Sequence, residues 1–392
     1  MHPVRISVKR SIFGLVLVAL GSMTLTQASA LEIPQSFIEL AQSPTLNHPG
    51  ILVVDPNNGE TIFSDAPDTL RAPASVLKLI STTTALKAFG ADQKFITTIN
   101  STAKPSVFVL TGQSDPWLTD SKFEAKKYHR AFAPALISKV LASHPHLRRI
   151  TLDYKDVYGL DISSLQRYYR NRVRIVAHQL PGASAAQALI KEPIASISSP
   201  PLSEIIQFTL LWSDNVLADR LAHSAAHKLG LPSGIEGVQA AFEKTLKELN
   251  VSSEGLAVQD GNGLSHQTRV SARTIASLLV EIKKQPDLKV IYDGLPTAGE
   301  TGTLKTRFVT DAPSAVGLVK AKTGWIDNTV SLAGYVTVGE QQYIFAVIAD
   351  RITNRESARS AARVTIDKML STIAKPDPLL PSESASPSAT NP

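Results

Sequence analysis

Four stretches of this chain have apolar residues at helical spacing, and several others alternate as strands do. From Pro73 the sequence runs with helical spacing to Phe89 and stops at Gly90, which predicts a loop entering a helix. Pro73 suits a first helical position, where a missing N–H costs nothing. A second apolar stripe, made of Leu202, Ile205, Ile206, Leu210, Val216, Leu217 and Leu221, predicts a long helix from Leu202 to His227. Ser213-Asp214-Asn215 interrupts that stripe beside Trp212. Three polar residues fit there if they face a cleft, or if they cap a second helix beginning at Ser213 or Asp214. Residues 329–338 and 343–348 read as strands joined through Gly339-Glu340-Gln341-Gln342, the signature of an antiparallel sheet. Val107–Leu110 and Ile150–Tyr154 read as short strands, His129–His144 as a helix, and Glu243–Asn250 as the end of an amphipathic helix.

Both ends depart from this pattern. Arg5, Lys9 and Arg10 precede an apolar run from Ile12 to about Leu25, followed by Ala28-Ser29-Ala30. That order is the pattern of an export signal, residues 1–30, removed near Ala30. The run is too short and too interrupted to read as a membrane span. Residues 375–392 are rich in Pro, Ser and Ala without periodic apolar positions, so a disordered tail is expected. It has no amphipathic helix for anchoring, which limits membrane contact to the peripheral kind.

The chemistry lies in three short patterns. In Ser75-Val76-Leu77-Lys78 a lysine follows a serine by three residues, on the same face of the predicted helix. A serine hydroxyl needs a base beside it, and lysine serves once burial or a nearby cation lowers its pKa. The helix start adds partial positive charge that favours an oxyanion. Ser213-Asp214-Asn215 offers a hydroxyl to relay a proton between Lys78 and a leaving amine, and a carboxamide for a substrate amide and the Lys78 ammonium. Lys322-Thr323-Gly324, on an edge strand, offers a cation and a hydroxyl to a substrate carboxylate. Gly324 would let a ligand approach the backbone, and the Trp325 N–H with that of Ser75 would form an oxyanion hole. Each pattern alone also fits plain structure: an exposed lysine on a helix, a helix cap, a turn.

Taken together, the chain resembles the D-alanyl-D-alanine carboxypeptidase/endopeptidase group of penicillin-binding proteins, the S13 peptidases or class C low-molecular-mass group. Beyond the three patterns, Pro73-Ala74-Ser75, Gly112 to Pro116, Ser199-Pro200-Pro201-Leu202, Asp260 to Ser265 with Arg269-Val270-Ser271, Gly302 to Lys305 with Arg307-Phe308, and Ala333-Gly334-Tyr335 carry the likeness. It extends over roughly residues 31 to 372. The resemblance implies an α+β fold: a penicillin-recognising serine transpeptidase-like domain, an antiparallel sheet flanked by helices plus a helical lobe, with an inserted accessory domain. The catalytic domain would be split into 31–97 and 196–374, with 98–195 as one small insertion, shorter than the family's usual one. It implies catalytic residues Ser75, Lys78, Ser213 and Asn215, substrate-binding residues Lys322, Thr323 and Gly324, and the Ser75 and Trp325 amides as oxyanion donors. No cofactor is expected. The implied partners are peptidoglycan stem peptides ending in D-Ala-D-Ala and β-lactam antibiotics, and the implied reaction is removal of the terminal D-alanine through a Ser75 acyl-enzyme. Trp325 stands where the family usually has a small residue, and Gln113 and Ser114 where glycine is commoner.

Composition narrows the alternatives. At roughly 150 residues per domain, 392 residues allow about two or three domains. There is no cysteine, hence no lipid-modified cysteine, disulfide, thiol nucleophile or Cys-based zinc site. The formal charge of +6 includes three leader cations, so the exported chain is only mildly basic and nucleic acid is not an expected partner. The basic, aromatic run from Leu165 to Arg174 reads as a solvated face or a contact with anionic wall polymer. His223 and His227 have i,i+4 spacing, but Ser224 replaces the glutamate of a zinc motif. Glu248-Leu249-Asn250 lies at a class A β-lactamase-like distance beyond Ser213, yet Leu246 stands where that loop has its glutamate. The rival functions are a DD-endopeptidase acting on cross-links, a β-lactamase or esterase, and a non-catalytic wall-binding protein on the same scaffold.

Overall fold

A computed structural model describes residues 31–374; the expected export signal and tail lie outside the described residues. The strands are β1 (Gly50–Val54), β2 (Thr61–Asp65), β3 (Ile96–Ser101), β4 (Val107–Thr111), β5 (Leu118–Thr119), β6 (Ala131–Phe132), β7 (Arg149–Lys155), β8 (Arg174–Gln179), β9 (Pro193–Ser198), β10 (Val319–Ile326), β11 (Thr329–Val338) and β12 (Gln341–Ala349).

The first sheet has the order β10-β11-β12-β1-β2, with every neighbouring pair antiparallel. β10 is an edge strand, as expected for Lys322-Thr323-Gly324. Gln341 and Gln342 pair with Val338 and Thr337, so the β11–β12 turn is only Gly339-Glu340, with Gly339 at φ +59. β1 is buried at every position and β12 from Tyr343 to Ala349, which requires cover on both sheet faces. The helix Ala272–Lys284 packs on β1 and β12, and the helix Glu356–Ala374 packs on β11 and on Gln35–Ala41. Tyr335 of β11 donates its hydroxyl to Leu279 O at 2.8 Å, tying sheet to helix.

A helical lobe stands beside this sheet. Its central helix, Lys78–Phe89, is buried from Lys78 through Leu86 and contacts Leu202–Trp212, Asn215–Lys228 and Ile235–Glu248. A helix buried all round needs partners for its polar groups. Ser81 donates to Gly261 O at 2.6 Å and Thr82 to Lys78 O at 2.6 Å. Gly90, at φ +81, ends it where the sequence expects. Its first turn is 3-10, Ala74–Leu77, with Pro73 one position before it rather than first within it.

The expected helix from Leu202 to His227 is two helices. Ser213 takes a left-handed conformation (φ +57) that ends the first, and Asp214 caps the second by accepting from Leu217 N at 2.9 Å. Both expectations for the polar trio are realised: Asp214 caps a second helix, and Ser213 and Asn215 face a cleft. The expected helix from His129 to His144 is also divided. Lys122–Tyr128 ends at His129 (φ +54), β6 follows, and a helix begins at Pro134, which can start a helix but not sit inside one.

Between the central helix and Leu202, a second sheet of order β8-β7-β4-β3-β9 forms. β3 pairs antiparallel with β4 and β9, whereas β4–β7 and β7–β8 are parallel. Parallel neighbours need crossovers, and Pro134–Ser143 and Gly159–Tyr169 provide them. The region begins and ends on paired backbone: Ile96 lies opposite Ser198, and Ser199 N donates to Phe95 O at 2.9 Å. It grips the helical lobe through ions. Arg220, on Asn215–Lys228, donates to Asp161 Oδ1 at 2.6 Å, and Tyr158 donates to Arg220 O at 3.1 Å.

Candidate active site

Ser75 sits in the buried 3-10 turn, and Lys78 follows as the first residue of the central helix. Its side chain is wholly buried, with Nζ 2.6 Å from Ser75 Oγ, 2.8 Å from Asn215 Oδ1 and 2.8 Å from Asn262 O, all three accepting. Burial depresses the Lys78 pKa from 10.5 to about 7, opposed by the carboxylates of Asp260 and Asp214. A neutral amine has two N–H bonds and one lone pair. Once Lys78 loses a proton, the two carbonyl oxygens keep its remaining hydrogens and the lone pair is turned to Ser75, whose hydroxyl becomes the donor.

Asn262 was not among the residues the sequence singled out for the site. Its carbonyl is presented by a loop folded around Asp260, whose carboxylate accepts from Gly263 N at 2.7 Å and Ser265 N at 2.6 Å. Gly263 is at φ +83, and a Cβ there would lie 1.9 Å from Ala74 O, so glycine is required. Ala74 is itself left-handed at φ +49, an uncommon conformation immediately before the serine. The six-residue run Asp260 to Ser265 is therefore a bracket beneath Lys78. Its sequence signal was present, but its role depends on contacts remote in the chain.

The second lysine is placed differently from expectation. Strand alternation turns Thr323 and Trp325 to one face and Lys322 and Gly324 to the other. Ser75, Ser213, Asn215, Leu264, Thr303, Arg307, Thr323, Gly324, Trp325 and Arg363 line a cleft of about 370 Å³. Lys322 is fully buried behind it, donating to Ser213 Oγ at 2.8 Å and to Thr323 O at 2.8 Å. Burial, followed by the nearby Lys78, holds its pKa well below 10.5. The hydroxyl of Ser213 is thus paired with Lys322, not directly with Lys78. Thr323 Oγ1 donates to Thr303 Oγ1 at 2.9 Å.

The family model of the D-Ala-D-Ala carboxypeptidase 3 (S13) family matches residues 35–131 and 176–373. The chain belongs to that family. The S13 assignment and the serine carboxypeptidase class expected from the sequence are both borne out, and the unmatched gap falls inside the second sheet's region. Carboxypeptidase DacB of Mycolicibacterium smegmatis is 27% identical over 365 residues, covering 81% of this chain and 78% of that protein. The structure of penicillin binding protein 4 from Haemophilus influenzae superposes with a TM-score of 0.69 at 18% identity, covering 85% of this chain and 98% of that one. A second structure of that protein, complexed with a β-lactam, gives 0.68 at 18% identity, covering 86% and 98%. These likenesses bear out the α+β fold of this S13 chain.

Gly324 has a packing reason beyond ligand access. A Cβ would lie 2.0 Å from Ser331 Oγ and 2.9 Å from Pro73 O, and Ser331 Oγ itself donates to Pro73 O at 2.6 Å. The residue lets β10 and β11 close on the turn that carries Ser75. Gly324→Ala is expected to cost about 1–3 kcal/mol through overpacking. Adding Ser331→Ala should recover part of the stability. Thermal unfolding of both variants checks this, and wild-type stability in the single variant would refute the pinning.

The His223/His227 pair and Glu248 are surface features. His223 Nε2 lies 3.9 Å from Asp219, and no group of three potential metal ligands occurs among the described residues. Glu248 ends a helix and pairs with Lys244 at 3.1 Å. Among the described residues, no helix is long and apolar enough to cross a membrane.

Proposed function

We propose that this S13 protein removes the terminal D-alanine of peptidoglycan stem peptides through an acyl-enzyme on Ser75, and that β-lactams acylate the same hydroxyl. The observation that carries the reading is the Lys78 amine. It is buried, lowered to about 7, and held by two carbonyl acceptors with its remaining valence on Ser75 Oγ. Neutral Lys78 takes the Ser75 proton as the oxygen attacks the penultimate D-alanine carbonyl. The Ser75 and Trp325 amides stabilise the oxyanion, and Asn215 steadies both Lys78 and the substrate amide. Ser213, bonded to Lys322, delivers its hydroxyl proton to the departing amine as the C–N bond breaks and regains one from the Lys78 ammonium, which returns Lys78 to its neutral form; water then hydrolyses the Ser75 ester. Thr323 and Gly324 border the leaving-group side of the cleft. Residues 98–195 form the single accessory unit, and the chemistry requires an extracytoplasmic location after export.

Intact-mass measurement after incubation with benzylpenicillin tests the reading. The expected result is one adduct per chain for the wild type, persisting for minutes or longer, and none for Ser75→Ala. Turnover of penicillin within seconds would favour the β-lactamase rival; no adduct at all would favour the non-catalytic one. Cleavage of cross-linked dimers against monomeric pentapeptides separates endopeptidase from carboxypeptidase action, which share this chemistry.

A further inference from the structure

The carboxylate of a carboxypeptidase substrate needs a cation in the cleft, and Lys322 is sealed behind the wall with its ammonium turned to Ser213 Oγ and Thr323 O. The cations that do line the cleft are Arg307 and Arg363. Arg307 is committed: it forms a bidentate pair with Asp367, Nε to Oδ2 at 3.2 Å and Nη2 to Oδ1, and both side chains are buried. Arg363 makes no hydrogen bond or ion pair among the described residues. Its guanidinium carbon lies 5.5 Å from the centroid of the Trp325 indole, and its charge also acts on the Asp367 carboxylate, whose hydrogen bonds go to Arg307. Arg359, one helical turn earlier, lies 5.3 Å from the same ring but is occupied by Asp327 O at 2.6 Å and Asn354 Oδ1 at 2.7 Å.

We infer that Arg363, steadied against Trp325, is the residue that reads the free carboxylate of the substrate's leaving amino acid, with the Thr323 hydroxyl beside it. This rests on the carboxypeptidase reading above and names the charge that reading lacks. A guanidinium stacked on an aromatic face keeps its donors in one plane and loses little freedom on pairing with a carboxylate. The bulky residue at position 325 then has a purpose: it holds the arginine at the mouth of the cleft rather than narrowing the oxyanion hole.

The test compares an acyl-D-Ala-D-Ala substrate with its C-terminal amide, in the wild type, Arg363→Gln, Arg363→Lys and Arg359→Gln. The wild type is expected to favour the free acid by roughly 100-fold in kcat/KM, the scale of a charge-assisted bidentate contact. Arg363→Gln should reduce that ratio to a few-fold, mainly through KM for the acid, and Arg363→Lys should restore part of it. Arg359→Gln should keep the ratio. The inference is overturned if Arg363→Gln keeps the discrimination, if it slows acid and amide equally, or if Arg359→Gln loses the ratio as well. Failure of the underlying reading has a different signature: the wild type cleaves neither peptide and takes no penicillin on Ser75.

Discussion

Replacing Lys78 by alanine is expected to lower the rate of penicillin acylation by about 10²- to 10⁴-fold, the range for loss of a positioned base. The wild-type rate should rise with pH through about 7 and then level. The sign follows from the chemistry: the amine is a base only when neutral, and below about 7 it holds its proton. Each pH unit below that point should therefore cost close to tenfold. Stopped-flow acylation with a chromogenic β-lactam, from pH 5 to 9, measures the profile. A flat wild-type profile, or one that falls with rising pH, would remove Lys78 from the role of base. Asn215→Ala should also shift the profile, because it leaves one Lys78 N–H without its 2.8 Å acceptor.

The second large effect lies away from the chemistry. Arg220→Ala is expected to cost about 3–5 kcal/mol, because it leaves a buried carboxyl without its cation. Asp161 accepts from Arg220 at 2.6 Å, and burial, opposed mainly by Arg220, already raises its pKa. Asp115 beside them is raised from 3.8 to about 7, first by burial. With the guanidinium gone, both carboxyls favour the protonated form still more. A carboxyl whose folded pKa exceeds its unfolded value binds more protons when folded, so its contribution to stability grows as pH falls towards the unfolded pKa. The deficit of Arg220→Ala should therefore be smaller at pH 5 than at pH 8. Arg220→Ala/Asp161→Ala should recover part of the loss. Denaturant unfolding at the two pH values checks all three statements, and a loss under about 1 kcal/mol would mean the ion pair is dispensable.

The sequence showed most of what chain neighbours determine. Ser75 and Lys78 share a helical face because of their three-residue spacing, and β10 to β12 follow from alternation and a turn. Ser213 was recognisable as polar residues in an apolar stripe, though periodicity continued across it and hid the left-handed break. Lys322 lies on the edge strand that the sequence predicts, but its full burial and its bond to Ser213 Oγ come from packing against a segment more than a hundred residues away. The Asn262 carbonyl carries no side-chain signal, because any residue has one. Arg363 lies on the last helix, and nothing local links it to Trp325. These parts of the site arise from packing between distant segments, which a local pattern does not encode.

The antiparallel start and finish of the region between β3 and β9 has a consequence for how this protein can change in length. Since the chain departs and returns along adjacent backbone, the stretch between is a cassette: a tight turn could replace it without moving the walls of the cleft. Geometry permits such trimming, but electrostatics restricts it. Any cut that removes Asp161 strands a guanidinium on the very helix that begins with Asn215, so the tolerated deletions are those that spare that anchor or discharge Arg220 in the same step.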